Sequence, residues 1–165
     1  MRFAFAASIL FVSVGFLIAG GGQPKREDMP KYIKTLSNQS ASPKAKTEAA
    51  DMIAKRGAIN AKDVEGAVEP LKTLAQKDKD AGVRKSAIHA IGSIAPDASE
   101  TVPLLIDILK NDASQDVKFA TVATLGRYGP DAKSALPAIR DFGKGLDKKQ
   151  QQPIRAATQA INGGK

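Results

Sequence analysis

His89 is the only imidazole in the chain, and cysteine is absent. A His-based triad or a nitrogen-and-sulfur metal centre needs several such groups converging on one point. A thiol nucleophile, a disulfide and a thiolate metal site are excluded outright. The expectation is therefore no metal and no cofactor. The carboxylates Asp97 and Asp131 recur 34 residues apart in similar settings, "APDA" and "GPDA". A catalytic pair could take that form. A repeated turn residue explains it better, because Asp supports turns and caps the segment that follows. Gly20 to Gly22 mimic a phosphate loop but lack the Walker lysine pattern. His89 itself falls off the apolar stripe of its segment and reads as an exposed helix residue. What remains chemically notable is charge. Lys and Arg outnumber Asp and Glu by 25 to 17, a formal balance of +8. Such a balance favours anionic partners and solubility, and is silent on fold.

The elements that must hold these residues are written as a repeat. Residues 83–109, "VRKSAIHAIGSIAPDASETVPLLIDIL", lie without a gap on 117–143, "VKFATVATLGRYGPDAKSALPAIRDFG". Val83 meets Val117, Gly92 meets Gly126 and Pro103 meets Pro137. A period of this length is the mark of a solenoid. Weaker copies extend both ways, with Ala49 and Ile53 on Ala87 and Ile91, and with Ala157, Ala160 and Ile161 on Ala87, Ala90 and Ile91. Val83, Ala87, Ala90, Ile91 and Ile94 form one stripe at a period of 3.6, and Val102, Leu105, Ile106 and Leu109 another. Pro70, Pro103 and Pro137 are expected in first turns, where no helical N–H is lost. Ser42-Pro43 reads as an N-cap and first helical position. Gly57 and Gly129 are expected as C-cap glycines. The reading is all-α: an α-solenoid of about four helix pairs over 29–163, at 29–57, 64–95, 99–129 and 134–163. One pair cannot bury its own apolar face, and stacking supplies the core.

Residues 1–22 stand apart. Arg2 is followed by an apolar run from Phe3 to Ala19 and then by small residues. This is the pattern of a signal peptide, cleaved after Gly21 or Gly22. The alternative is an uncleaved membrane anchor, since the run reaches the lower edge of a spanning length. Both place the domain outside the cytoplasm, periplasmic or secreted, with residues 23–28 as a linker.

The segments "VRKSAIHAIGSIAPDA" and "VKFATVATLGRYGPDAKSALPAI" resemble the HEAT-repeat family, and within it the phycobilin-lyase-type HEAT-like repeats. The shared pattern is Val-Arg, then Ala, then Ala-Leu-Gly, then a Gly-Pro-Asp/Glu-Ala connector. The resemblance implies paired helices, with the second helix of each pair lining a concave side. It also implies a ladder of Asp and Arg between neighbouring repeats. Asp78 precedes Arg84, and Asp112 precedes Lys118, at the family's spacing. All four are assigned to structure. In the last repeat Ile154 takes the ladder slot and Arg155 falls one place later.

The same geometry lays out the groove-facing residues. One row is Thr47, Lys85, Phe119 and Arg155. The next is Asp51, His89, Ala123 and Gln159, and the third is Lys55, Ser93 and Arg127. The candidate binding residues are Phe119, Lys85, His89, Arg127, Arg155 and Lys55. Phe119 reads either as an aromatic anchor for a partner or as filler between adjacent repeats. The functional reading is a non-catalytic protein-binding or scaffold module, not an enzyme. Its rivals are a binder of an anionic polymer (acidic polysaccharide, lipid head groups or nucleic acid), a bilin-lyase-like subunit, and a small accessory fragment of a larger HEAT array with no site of its own. Membrane contact is expected only through an uncleaved N-terminal segment.

Overall fold

The structure, a computed structural model, describes residues 23–163. The leader assigned to residues 1–22 lies outside the described residues. Eight α-helices follow in order: α1 (Met29–Ser37), α2 (Pro43–Gly57), α3 (Val68–Lys77), α4 (Ala81–Ile94), α5 (Ala98–Asn111), α6 (Gln115–Tyr128), α7 (Leu136–Gly143) and α8 (Gln151–Ile161). There is no strand among the described residues. Short 3-10 segments precede α1, α3 and α7, at Arg26–Asp28, Ala61–Ala67 and Gly129–Ala135. No helix among the described residues is long and apolar enough to cross a membrane.

Odd-numbered helices pack on odd-numbered neighbours, and even on even. The result is a two-layer α-solenoid of four helix pairs. The second helices form the tighter layer, because small residues let their backbones approach. Their inner stripe is sealed: Ile53, Val83, Ala87, Ile91, Val117 and Leu125 are fully buried. The first three second helices open on side-chain caps. Ser42 Oγ accepts from the Ala45 amide at 3.2 Å, Asp80 Oδ1 from Val83 at 3.0 Å, and Ser114 Oγ from Val117 at 3.4 Å. Each cap satisfies an amide that the helix start leaves without a partner.

Three local expectations need correction. Pro103 lies inside α5, not in its first turn. Asp97 caps that helix from Ser99 at 2.7 Å, so α5 starts well before the proline. In the second and fourth repeats the matching segment is a 3-10 turn, and there Pro70 and Pro137 do fall in first turns. Gly57 is not a C-cap residue: α2 runs through it in helical geometry and ends on Ala58. A methyl on Gly57 would come within 2.6 Å of Ile94 Cγ1, so its glycine serves close packing. Ala160 is exposed although its equivalent Ala90 is buried. Ala90 is covered by the following repeat, and α8 is the last helix of the described residues.

Candidate functional site

The ladder fixes the second helices in register before any surface residue matters. Lys46 Nζ reaches Asp78 Oδ2 at 2.8 Å. Arg84 grips Asp112 with two parallel bonds, Nε to Oδ2 at 2.7 Å and Nη2 to Oδ1 at 2.9 Å. It also donates to the Asp78 carbonyl at 2.9 Å. The Lys46–Asp78 and Arg84–Asp112 pairs run from a basic residue of one repeat to the acid that ends the first helix of the next, while the bond to the Asp78 carbonyl stays within the second repeat. Burial pushes the Asp78 carboxyl up, but the Lys46 ammonium, the Asp80 amide and Arg84 outweigh it and hold the group below its ordinary value. Asp112 behaves alike: burial raises it, and Arg84 with the Ser114 amide brings it lower. The Asp112 carboxylate in turn raises Arg84. Lys118 holds the third basic slot and donates to the Lys110 carbonyl at 3.1 Å. The acid slot it would meet, at the end of α7, is Lys144.

Two tethers were not read from the sequence. Lys46 occupies the slot of Arg84 in the first repeat, and the alignment of Ala49 with Ala87 already places it there. Lys72 is almost buried and bridges Glu69 and Glu100, both at 2.9 Å. Bonds to Glu100 and Glu69 raise its ammonium above the ordinary value. Lys72 and Glu100 stand 28 residues apart, as do Arg84 and Asp112. That matching separation was the available signal.

On this frame the six candidate binding residues occupy one face of the second helices. Lys55 of α2, Lys85 and His89 of α4, Arg127 of α6 and Arg155 of α8 are exposed, and Phe119 is half-buried. Lys85 approaches Asp116 at 3.8 Å, with both side chains largely in solvent. Such a pair is worth about 0–1 kcal/mol and leaves Lys85 available. Arg127 Nη1 donates to Ser93 Oγ of the preceding repeat at 3.2 Å, and Ser93 Oγ donates to the His89 carbonyl at 3.1 Å. Arg127 is thereby laid over the end of α4. Arg155 donates to Gln151 at 3.3 Å within its own helix. The Phe119 ring meets Phe142 of α7 edge-on, with centroids 5.1 Å apart and planes at 70°. Phe119 thus packs across the junction of the third and fourth repeats while part of its ring stays open.

This arrangement can hold a ligand by shape and charge. Four cations stand in the three rows against one carboxylate, Asp51. Among the described residues, no three His, Asp or Glu side chains converge as a metal site would require. No curated protein matches the chain. A family model described as HEAT repeats matches residues 29–126, from the start of α1 to the end of the Ala-Thr-Leu-Gly run in α6. With well over half of its length matched and its helices stacked in pairs, the chain belongs to the HEAT-repeat family.

Proposed function

We propose that the chain is a non-catalytic binding module, exported from the cytoplasm, whose second-helix face receives a protein partner. HEAT repeats commonly act as protein-interaction scaffolds, and their second helices line the concave side. The observation that carries the reading is the set of exposed cations Lys55, Lys85, Arg127 and Arg155 on the second helices, two of which, α2 and α4, are anchored by ladder ion pairs. A rigid face whose cations are at most weakly paired, as Lys85 is with Asp116, holds its charges in place before a partner arrives, and so lowers the cost of ordering them. His89 and the open part of Phe119 lie in the same rows and add contact area. Export rests on the leader pattern of residues 1–22.

The test is cross-linking of the protein in its own cell, repeated with Lys85→Glu plus Arg127→Glu. Loss of a cross-linked partner in the double variant, with folding unchanged, supports the face. An unchanged partner set removes it. Replacing Phe119 and Lys85 by alanine addresses the same face, but Phe119 also packs on Phe142, so the charge variant is the cleaner one.

The excess of cations also favours a second reading, an anionic polymer as ligand. Binding that collapses as salt rises would support the polymer, since counterion release dominates such contacts. Weak salt dependence would support a protein site. Kinship with bilin lyases rests on the repeat pattern alone, and absence of bilin transfer to a phycobiliprotein acceptor would end it.

A further inference from the structure

The last helix pair of the described residues carries a groove that shares only Arg155 with the second-helix face and only Ile154 with the ladder positions. It lies between α7 and α8, with a volume of about 490 Å³. Its floor includes Leu136 and Ile154, and its rim carries Arg140, Lys144 and Arg155. No carboxylate lines it. Asp141 pairs with Lys144 at 2.7 Å from outside the groove, and both side chains are about 70% exposed, 73% for Lys144 and 69% for Asp141. A pair so solvated exchanges readily for a better partner.

The groove is not shaped for another repeat of the same kind. In the first three repeats the ladder slot is basic (Lys46, Arg84, Lys118), ready for the acid of a following repeat. In the last it is Ile154, buried to 9% exposure, and the cations have moved to the rim. Nor does it suit a second copy. Its own rim is cationic, and at the far end α1 offers exposed Lys31 and Lys34 with no carboxylate of its own. Pairing two such grooves sets cations against cations, and at the far end the exposed Glu27 and Asp28 are offset by Lys25, Arg26, Lys31 and Lys34. What fits is a ligand with carboxylates for the rim and an apolar side chain for the floor. Guanidinium groups bind carboxylates through paired bonds, and Leu136 with Ile154 gives an apolar anchor something to bury against.

We propose that this groove is a second binding site, for an acidic peptide segment of a partner protein that carries an apolar anchor. Arg140 lies on α7 and Lys144 just beyond its end, both off the second-helix face; Arg155 alone is common to both sites, so variants at Arg140 with Lys144 and at Lys85 with Arg127 separate them.

The test is an NMR titration of the full chain lacking only residues 1–22, with a short synthetic amphipathic peptide of Glu and Leu. Poly-glutamate and inorganic polyphosphate serve as comparison probes. The expected result is saturable shifts at the amides of Gly143, Gly145, Thr158 and Asn162, with poly-glutamate weaker. Arg140→Gln plus Lys144→Gln should weaken the peptide by about tenfold or more, and Lys85→Glu plus Arg127→Glu should leave it unchanged. Several results would overturn the proposal: no saturable shift, shifts centred elsewhere, or a peptide indifferent to loss of Arg140 and Lys144. Polyphosphate binding as tightly at the same amides would make the groove a polyanion site instead. Should the Gln variant fail to fold, the map of shifts on the unmutated chain still decides.

Discussion

Ala95 ends α4 with φ 49° and ψ 60°, the left-handed region. Its counterpart one repeat later is Gly129, at φ 55°. A side chain at positive φ crowds the backbone by about 1–2 kcal/mol, and glycine does not. Ala95→Gly should therefore raise stability by about 1 kcal/mol, after the extra chain entropy of glycine is subtracted. Thermal unfolding of the two proteins checks it, and a lower melting temperature for the variant would contradict it. The ladder carboxylates make a second prediction at this scale. Asp78 and Asp112 are held below their ordinary values in the folded chain. The folded state then binds fewer protons than the unfolded one as pH falls toward about 4, the ordinary carboxylate value. Their contribution is complete above that value and is lost as pH drops through the folded values. Melting temperature should fall across this acid window. Asp112→Asn should be less stable at neutral pH, because it leaves Arg84 buried without its partner, and its curve should be flatter in acid. A variant that tracks the unmutated chain at every pH would show that Asp112 contributes nothing.

Helices touch where side chains are smallest, and glycines mark those places. A methyl on Gly57 meets Ile94 Cγ1 at 2.6 Å and Val64 Cγ2 at 3.1 Å, both in the packed core. Gly57→Ala gains about 1 kcal/mol of helix propensity, yet overpacking of this kind costs about 1–3 kcal/mol. The net expectation is destabilisation of about 1 kcal/mol in a denaturant titration. Gly66→Ala is the control, since its methyl would meet only Ile33 Cδ1 at an ordinary 3.7 Å, and it should be neutral or better. The contrast shows what one chain could reveal unaided. The pairing of helices was legible, because Val83, Ala87 and Ile91 repeat at one period and only stacking can bury them. The exposed face followed from the same register, so Lys85, His89 and Arg127 were placed before any coordinates. Other features depend on distances between helices, which periodicity does not encode. Gly57 could not be told from a C-cap glycine without knowing that Ile94 lies against it. Phe119 could not be told from a free anchor without Phe142. Pro103 was misplaced because Asp97, an equally good turn residue, in fact starts a helix.

Across the whole array the junctions are unequal. The second and third repeats are joined by Arg84–Asp112, Lys72–Glu100 and Arg127–Ser93. Thr124 donates to the Ile88 carbonyl and Tyr128 to that of Pro96 across the same boundary. The first and second share Lys46–Asp78, and Asp63, ahead of α3, is held by Arg56 and Arg26. Between the helices of the third and fourth repeats, no side-chain hydrogen bond or ion pair is formed among the described residues. That junction rests on Phe119 against Phe142 and on Gly126, where an added methyl would lie 3.0 Å from the Ala157 Cα. Arrays of this type derive stability from each unit and its immediate interfaces. Among the described residues the fourth repeat makes the junction with fewest directional contacts, so its opening needs the least free energy. Native-state hydrogen exchange should show α7 and α8 losing protection first, with α4 and α6 protected longest. The ordering should hold in mild acid, where protonation loosens the first two junctions but has no carboxylate to act on at the third; the spread in protection should then narrow. Exchange of α8 in step with α4 at neutral pH would mean that apolar contact alone couples the last repeat as firmly as the ladder couples the others.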